Sequence, residues 1–394
     1  MSELTFHQLL VWLCAIYWLV ALALLVVSTA ATLLQPLVAA RRARNAEQPP
    51  VSVILPVKSL EHSFQRAQES VFAQNYPDFE VLASARDPSS PAAQLMKEIF
   101  ARRPEIETRF LRSTSAIAVS PKVDNLVAPI SEAQNDVIFT KDSNVTLLPE
   151  DLRAHMRQLT PGVGFLCAIP YAADPENLPA HIEASILNGP HARMLYLASC
   201  LGQGFGVGKI MLFRRGDLVR AGGFAAIAHT VGEDNALAKA MRRIGLRTAF
   251  SHCPARQELG LRSWSAVFQR QLRWSVIRRD EVLFSFLLEP LSQAAPGFFA
   301  AWAAAPVFGL GRIEALAATF LLWLGLESLL SFLKGWRLSW AAPAVLVMRE
   351  GMMIAVWLRA WTTSRVIWAD EPIDARAGAV SRADCARASA QNKG

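Results

Sequence analysis

The chain has 394 residues, of which 52% are hydrophobic and 19% are charged, and its formal net charge is +7. This length accommodates two domains, or one large domain and a membrane region, and the basic excess favours anionic lipid headgroups or phosphate substrates. No basic run alternates with stacking aromatic residues, so we expect no nucleic-acid partner, and the five scattered cysteines lack a C-x-x-C pair, which argues against a disulfide framework and a zinc site.

The N-terminal segment predicts a membrane anchor at residues 1–40. Residues 5–40 contain no Lys, Arg, Asp or Glu, and about 20 apolar residues are enough to cross a bilayer. A signal peptide begins with positive charge, whereas this chain begins with Glu3 and no positive side chain. Arg41, Arg42 and Arg44 follow directly, so the positive-inside rule places the next domain in the cytoplasm.

Residues 51–280 alternate between apolar runs and segments of helical spacing. Residues 51–57 and 79–85 are near-continuous apolar runs, which is typical of strands buried in a parallel sheet. A further strand is predicted at 108–111, and residues 263–279 form a long basic helix. The alternation predicts an α/β domain with a mostly parallel sheet.

The chain becomes apolar again near its C-terminus, and we predict a membrane region at 281–370 and a polar tail at 371–394. Three apolar stretches, at 290–311, 313–333 and 340–358, predict two to three transmembrane or interfacial helices. Arg349-Glu350 lies in the last stretch, either as a paired charge within the membrane or as the mark of an interfacial or re-entrant helix. The topology of that stretch stays open.

The main candidate site lies in residues 137–145, with the sequence VIFTKDSNV. An apolar strand is followed there by Asp142 and Asn144, and open α/β sheets bind ligands at the carboxyl ends of their strands. Two oxygen-bearing side chains on one side suit a hard divalent cation, which often bridges to substrate phosphates. An Asx-turn without a ligand is the structural alternative.

Other candidate motifs follow the same domain in order. Asp87 ends the second predicted strand, Asp234 begins a helix after Gly232-Glu233, and the sequence RQLRW, at residues 270–274, lies on the basic helix. Residues 202–208 contain four glycines, which either let the backbone approach a ligand closely or form a mobile surface loop.

Together these motifs resemble the GT-A glycosyltransferases of processive and lipid-linked type. Within that group the chain resembles the ceramide glucosyltransferases, glycosyltransferase family 21, from about residue 51 to residue 274. The signatures are SPKVDNL at 120–126, IPY at 169–171, HAR at 191–193, AGG at 221–223 and GED at 232–234. The resemblance implies a cytosolic, Rossmann-like GT-A catalytic domain at 51–280 between the N-terminal and C-terminal membrane segments.

The resemblance also implies roles for individual residues. Asp234 matches the family's catalytic base. The implied donor-binding residues are Asp87, Lys122, Asp142 and Arg273, the implied acceptor-binding residues are Trp274, Arg270 and His191, and the implied ligands of a divalent Mg2+ or Mn2+ are Asp142, Asn144 and His252. Asn144 replaces the second carboxylate of an Asp-x-Asp pair and so adds no negative charge. His252 and His191 each have a purely structural alternative, on a strand end and at a helix cap.

These roles predict an inverting, multi-pass membrane glycosyltransferase, in the inner membrane if the source is bacterial. It would move a hexose from a UDP-sugar to ceramide on the cytoplasmic face and make a β-glycosylceramide. One alternative is the same chemistry on another lipid, such as a hopanoid, with UDP-N-acetylglucosamine. A polysaccharide synthase would need more spans, and an inactive lipid-binding scaffold is the alternative from a different class.

Overall fold

The computed structural model describes residues 6–42, 47–368 and 371–374. By their internal contacts these residues divide into two compact units. The helical unit lies within Met1–Leu34, Pro175–Leu197 and Arg262–Thr363, and the sheet unit lies within Gln35–Asp174, Ala198–Leu261 and Ser364–Gly394.

The elements alternate along the chain much as the sequence predicts. The α-helices are α1 (Phe6–Arg42), α2 (Phe64–Glu69), α3 (Pro91–Ala101), α4 (Pro121–Glu132), α5 (Asp151–Met156), α6 (Leu178–Ile186), α7 (Ala192–Cys200), α8 (Arg215–Arg220), α9 (Glu233–Arg243), α10 (Trp264–Glu281), α11 (Leu283–Leu288), α12 (Ala294–Ala304), α13 (Arg312–Lys334) and α14 (Ala342–Thr362). The strands are β1 (Val51–Pro56), β2 (Phe79–Ala85), β3 (Thr108–Arg112), β4 (Val137–Lys141), β5 (Val145–Thr146), β6 (Val163–Cys167), β7 (Pro170–Pro175), β8 (Ile210–Arg214), β9 (Arg247–Phe250), β10 (Ala255–Gly260), β11 (Arg365–Trp368) and β12 (Glu371–Asp374). A π-helical turn at Leu187–His191 joins α6 to α7.

The sheet unit is built on a seven-stranded sheet of order β3-β2-β1-β4-β8-β6-β9. β1 pairs in parallel with β2 and β4, β3 pairs in parallel with β2, and β9 pairs in parallel with β6. β8 is antiparallel to both of its neighbours. The predicted α/β class with a mostly parallel sheet is therefore confirmed.

The order of the strands identifies the edge where a ligand would bind. From β1 the chain builds the sheet outward through β2 and β3, and it then returns to place β4 on the other side of β1. In open α/β sheets this reversal opens a crevice at the carboxyl ends of the two strands concerned. Asp142 is the first residue after β4, so it lies at that crevice.

Burial explains why these strands form the centre of the sheet unit. Val53, Val81 and Phe139 are at most 1% exposed, and α3 packs Met96 into the same core. Burying an apolar side chain of this size contributes about 1.5–3 kcal/mol. Ser90 caps the start of α3, because its side chain accepts from the N–H of Ala93.

The helical unit contains the helices that could cross a membrane. Among the described residues, α1 and α13 are long and apolar enough to span one, with mean hydropathies of 2.7 and 1.8. Their outward faces expose large apolar side chains that lipid would cover. They include Leu9, Trp12, Ile16, Leu19 and Val26 of α1, and Ile313, Leu321, Leu329 and Phe332 of α13. α11 and α12 are shorter apolar helices.

The charged pair in α14 is buried and satisfied within the helical unit. The Arg349 side chain is 0% exposed, and its guanidinium lies 2.7 Å from Glu327 of α13 and 2.8 Å from Glu350. Glu327 also pairs with Arg193 of α7 at 3.0 Å. The charges of Arg349 and Glu350 are therefore satisfied within the helical unit, and the topology of α14 stays open.

Candidate active site

The predicted acids Asp87 and Asp142 lie at one edge of the sheet. Asp142 follows β4 and Asp87 follows β2, and both strands pair in parallel with β1 between them. Adjacent strands are about 4.8 Å apart, so the carboxyl ends of β2 and β4 are separated by about 10 Å. This spacing places both acids beside the crevice at the end of β1.

Lys122 is the centre of the site. It lies in the first turn of α4, where Pro121 starts the helix. Its Nζ lies 2.8 Å from Asp142 Oδ1 and 3.2 Å from Glu233 Oε1, and it donates to the backbone carbonyl of Gly208 at 2.7 Å. These contacts use all three donors of an ammonium group. Lys122 thus joins the end of β4, the start of α9 and the glycine-rich segment.

Asp142 binds a second lysine that we did not predict from the sequence. Lys209 Nζ lies 2.9 Å from Asp142 Oδ2 and 3.3 Å from Asn144 Oδ1. Burial by itself would raise the pKa of Asp142, but the charges of Lys122 and Lys209 hold that pKa well below its usual range. Asp142 is therefore ionised at neutral pH. The position of Lys209, directly after Gly208, was the only available signal in the sequence.

Glu233 and Asp234 begin α9, where the positive end of the helix dipole favours acidic residues. Glu233 is buried, and burial together with the charge of Asp234 raises its pKa to about 7, against the opposing charge of Lys122. Asp234 is only partly buried, and its Oδ1 accepts the N–H of Asn235 at 2.7 Å. The two neighbouring acids thus have different environments, because Glu233 is buried whereas Asp234 is only partly buried.

The glycine-rich segment packs against these acids. A Cβ at Gly206 would collide with the backbone of Asp234. A Cβ at Gly208 would lie 3.1 Å from Lys122 Nζ and 3.2 Å from Asp234 Oδ2. Glycine is required here for close approach, which favours that interpretation of residues 202–208 over a mobile loop. The same contacts show that Lys122 and Asp234 converge on one point.

Asp87 is fully exposed at the turn before α3. Its carboxylate accepts the N–H of Ser89 at 2.9 Å and the hydroxyl of Ser89 at 2.5 Å. These hydrogen bonds lower the pKa of Asp87, so the carboxylate is charged and open to a ligand at neutral pH.

The predicted metal ligands do not fit a divalent cation as they are arranged. Both oxygens of Asp142 face ammonium groups, and Asn144 accepts from Lys209. His252 lies between β9 and β10; its backbone N–H donates to the side chain of Gln158, and its imidazole Nδ1 is buried without a hydrogen-bond partner from any described residue. Across the described part of the chain, no group of three or more His, Cys, Asp or Glu side chains could hold a metal ion.

The remaining predicted residues lie in the helical unit, and two of them stack. The rings of His191 and Trp274 have centroids 5.7 Å apart, with an angle of 21° between their planes. Burial and the nearby charge of Arg278 lower the pKa of His191 to about 4, so the ring is neutral at physiological pH. Arg270, one helical turn before Trp274, donates to the buried Glu183 at 2.9 Å. Arg273 lies beside Trp274 on α10.

The position of His191 depends on the π-helical turn at Leu187–His191. Gly189 has a non-helical conformation there, with φ −88° and ψ −112°. A Cβ at Gly189 would lie 2.9 Å from Arg349 Nη1 and 3.3 Å from Glu327 Oε1. The turn that presents His191 to Trp274 therefore packs directly on the buried ion pairs of the helical unit.

Comparison with protein families decides the identity of the chain. The family described as Glycosyl transferase family 21 matches residues 14–380, which is most of the sequence. The chain belongs to glycosyltransferase family 21. The recognition made from the sequence motifs is confirmed.

Individual relatives agree with this family. Ceramide glucosyltransferase 1 of Caenorhabditis elegans is 25% identical over 245 residues, which cover 62% of this chain and 53% of that protein. Ceramide glucosyltransferase 3 of the same organism is 21% identical over 331 residues, covering 82% and 72%. The match thus spans about half the length of the first relative. A similar solved structure is the mannosyltransferase PcManGT from Pyrobaculum calidifontis in complex with GDP-Man and Mn2+. It has a TM-score of 0.47 and is 16% identical in sequence, and the match covers 88% of this chain and 99% of that one.

Proposed function

We propose that this family 21 enzyme transfers a hexose from a UDP-sugar to ceramide at the cytoplasmic face of a membrane. Membership in the family and the ceramide glucosyltransferases among its relatives support the reaction and the acceptor. The observation that carries the proposal is the cluster around Lys122, which brings Asp142, Glu233 and Asp234 together at the ligand-binding edge of the sheet.

The transfer is a single displacement. The acceptor hydroxyl oxygen attacks the anomeric carbon while the bond from that carbon to the β-phosphate oxygen breaks, and the electron pair leaves with UDP. Asp234 takes the proton of the acceptor hydroxyl as general base. Because attack and departure occur on opposite faces, an α-linked donor gives a β-glycoside.

The environments of the two acids support Asp234 as the base. Glu233 is buried and paired with Lys122, so its role is to position that lysine. Asp234 is more exposed and faces the glycine-rich segment. A positioned side chain of this kind contributes about 10²–10⁴-fold to the rate.

The donor is proposed to lie across the edge of the sheet. Asp87 binds the uridine, while Lys122 acts on the diphosphate, whose negative charge grows as the bond breaks. The donor-binding role of Arg273, in the helical unit, stays an expectation from the family resemblance. A divalent Mg2+ or Mn2+, expected from the sequence, would have to displace Lys122 or Lys209 from Asp142.

The acceptor and the location follow from the helical unit. Ceramide has long apolar chains that leave a bilayer only at a cost of about 0.8 kcal/mol per CH2 group, so the enzyme has to work at the membrane. The length and apolarity of α1 and α13 agree with a membrane-bound protein, and the arginines at 41, 42 and 44 favour a cytoplasmic catalytic domain. The stacked rings of His191 and Trp274 are proposed to contact the acceptor.

A matrix of donors and acceptors tests the proposal. The purified protein in detergent is mixed with UDP-glucose, UDP-galactose, UDP-glucuronate or UDP-N-acetylglucosamine and with ceramide or a hopanoid alcohol, and the lipids are read by mass spectrometry. We expect a β-hexosylceramide from the wild type, and no product from Asp234→Asn, which should still bind UDP normally. Asp78→Asn, an exposed aspartate next to β2, is the matched control and should be fully active.

Other outcomes separate the alternatives. Product on the hopanoid alcohol alone would replace ceramide as acceptor. If no donor and acceptor combination gave product and the protein did not bind UDP, the inactive lipid-binding scaffold would be the favoured alternative.

A further inference from the structure

Both carboxylate oxygens of Asp142 are held by lysines. Lys122 lies 2.8 Å from Oδ1 and Lys209 lies 2.9 Å from Oδ2. The two side chains are only 13% and 16% exposed, so these are not solvated surface pairs. Buried ion pairs are screened by water far less than exposed ones.

Asn144 fits this lysine arrangement better than it fits a metal. A second carboxylate would raise the affinity of the site for a cation. Asn144 instead has an amide at that position, and the residue is 3% exposed. Its Oδ1 accepts from Lys209 at 3.3 Å. The amide of Asn144 thus orients Lys209 without adding negative charge. This explains why the chain has Asn144 where an Asp-x-Asp pair has its second carboxylate.

The charges can be compared directly. The two ammonium groups face the carboxylates of Asp142 and Asp234 and the carboxyl group of Glu233. With Glu233 protonated these charges sum to zero, as they do for a divalent cation on two carboxylates. The lysine pair therefore offers an incoming diphosphate the same local net charge as the metal arrangement. Asp142 and Asn144 use two of the three donors of Lys209, and the third can reach a phosphate oxygen.

We propose that Lys122 and Lys209 form a cationic site for the diphosphate of a nucleoside-diphosphate sugar, so that donor binding does not require a divalent cation. The inference rests on the proposed function, because it takes the donor class from it. In the displacement, the electron pair that leaves the anomeric carbon goes to the β-phosphate oxygen, and the two ammonium groups stabilise that charge while keeping their protons. Asp142 orients the lysines.

Isothermal titration calorimetry with UDP tests the site without relying on turnover. The wild type should bind UDP in excess EDTA, and saturating Mg2+ or Mn2+ should change Kd by less than about threefold. Lys209→Met keeps the length of the side chain and removes its charge, and should weaken UDP binding about tenfold or more, since hydrogen bonds to charged groups are worth that much. Lys239→Met on α9 removes one charge away from the site and should bind UDP like the wild type.

Further variants and outcomes keep the test decisive. Lys209→Arg keeps the charge and should recover most of the affinity, and circular dichroism of each variant establishes that the fold is retained. UDP binding that vanishes in EDTA and returns with Mn2+ would overturn the lysine site while the proposed function stands. Unchanged affinity in a folded Lys209→Met would also overturn it. Loss of UDP binding under every metal condition would instead contradict the proposed function itself.

Discussion

The imidazole of His191 and the indole of Trp274 stack with their centroids 5.7 Å apart and their planes inclined by 21°. The two residues come from the π-helical turn before α7 and from the middle of α10, so the contact joins two elements of the helical unit. Offset stacking of this kind contributes about 0.5–1.5 kcal/mol beyond the buried area. Two flat rings held in this way form a rigid surface that suits a sugar or a lipid headgroup.

Replacing one ring should impair acceptor use. We expect Trp274→Ala to raise the KM for ceramide about tenfold while the Kd for UDP stays unchanged, because the proposed acceptor contact would lose the area of the indole ring. Steady-state kinetics with varied ceramide and calorimetry with UDP measure the two constants. Trp264→Ala, at the exposed start of the same helix, is the control and should leave both unchanged. A larger effect on UDP binding than on ceramide would contradict the acceptor assignment.

The glycine-rich segment should not tolerate a side chain. Gly206→Ala forces a Cβ against the backbone of Asp234, so the proposed base should shift and kcat/KM should fall at least about tenfold. Gly325→Ala in α13 meets no atom within 4 Å and is the matched control, which we expect to retain full activity. Equal activity of the two variants would show that the close approach at Gly206 has no part in catalysis.

The raised pKa of Glu233 predicts a pH dependence of stability. The ordinary value is 4.5, and in the folded protein burial raises the pKa to about 7, so the folded chain holds this proton more tightly than the unfolded chain does. The stabilisation from this group is complete below pH 4.5 and is lost as the pH rises through about 7. Glu233→Gln should therefore be more stable relative to the wild type at pH 8 than at pH 5.

Thermal unfolding followed by tryptophan fluorescence measures this difference. Glu98→Gln, on the exposed face of α3, should keep the same offset from the wild type at both pH values. A Glu233→Gln curve that runs parallel to the wild type from pH 5 to pH 8 would contradict the assigned cause.

Breaking the buried ion pairs of the helical unit should be costly. Arg349→Met leaves Glu327 and Glu350 without their shared partner, and loss of one member of a buried pair typically costs about 3–5 kcal/mol. We expect a clear fall in Tm in detergent. Arg359→Met, on the exposed face of the same helix, should shift Tm very little. A similar Tm for both variants would mean that the network adds no stability.

Much of the fold was predictable because its signals are local. The apolar runs before Asp87 and Asp142 are β2 and β4, and both are buried as predicted. The start of a helix at residues 232–234 was also predicted from the sequence, and Asp234 lies in the first turn of α9. The metal expected at Asp142 and Asn144 stays a prediction, because it depended on which side chains surround them and not on the strand itself.

The sequence alone determined the family, the parallel sheet with its acids at the strand ends, and the apolar segments at both ends of the chain, because motifs, periodicity and hydropathy are properties of neighbouring residues. Only the tertiary structure decided which charges meet. Asn144 and Lys209 are 65 residues apart and come together because β8 pairs antiparallel with β4. Such pairings depend on how distant elements pack. Burial then makes an unpaired charge costly, so buried charged side chains need a partner.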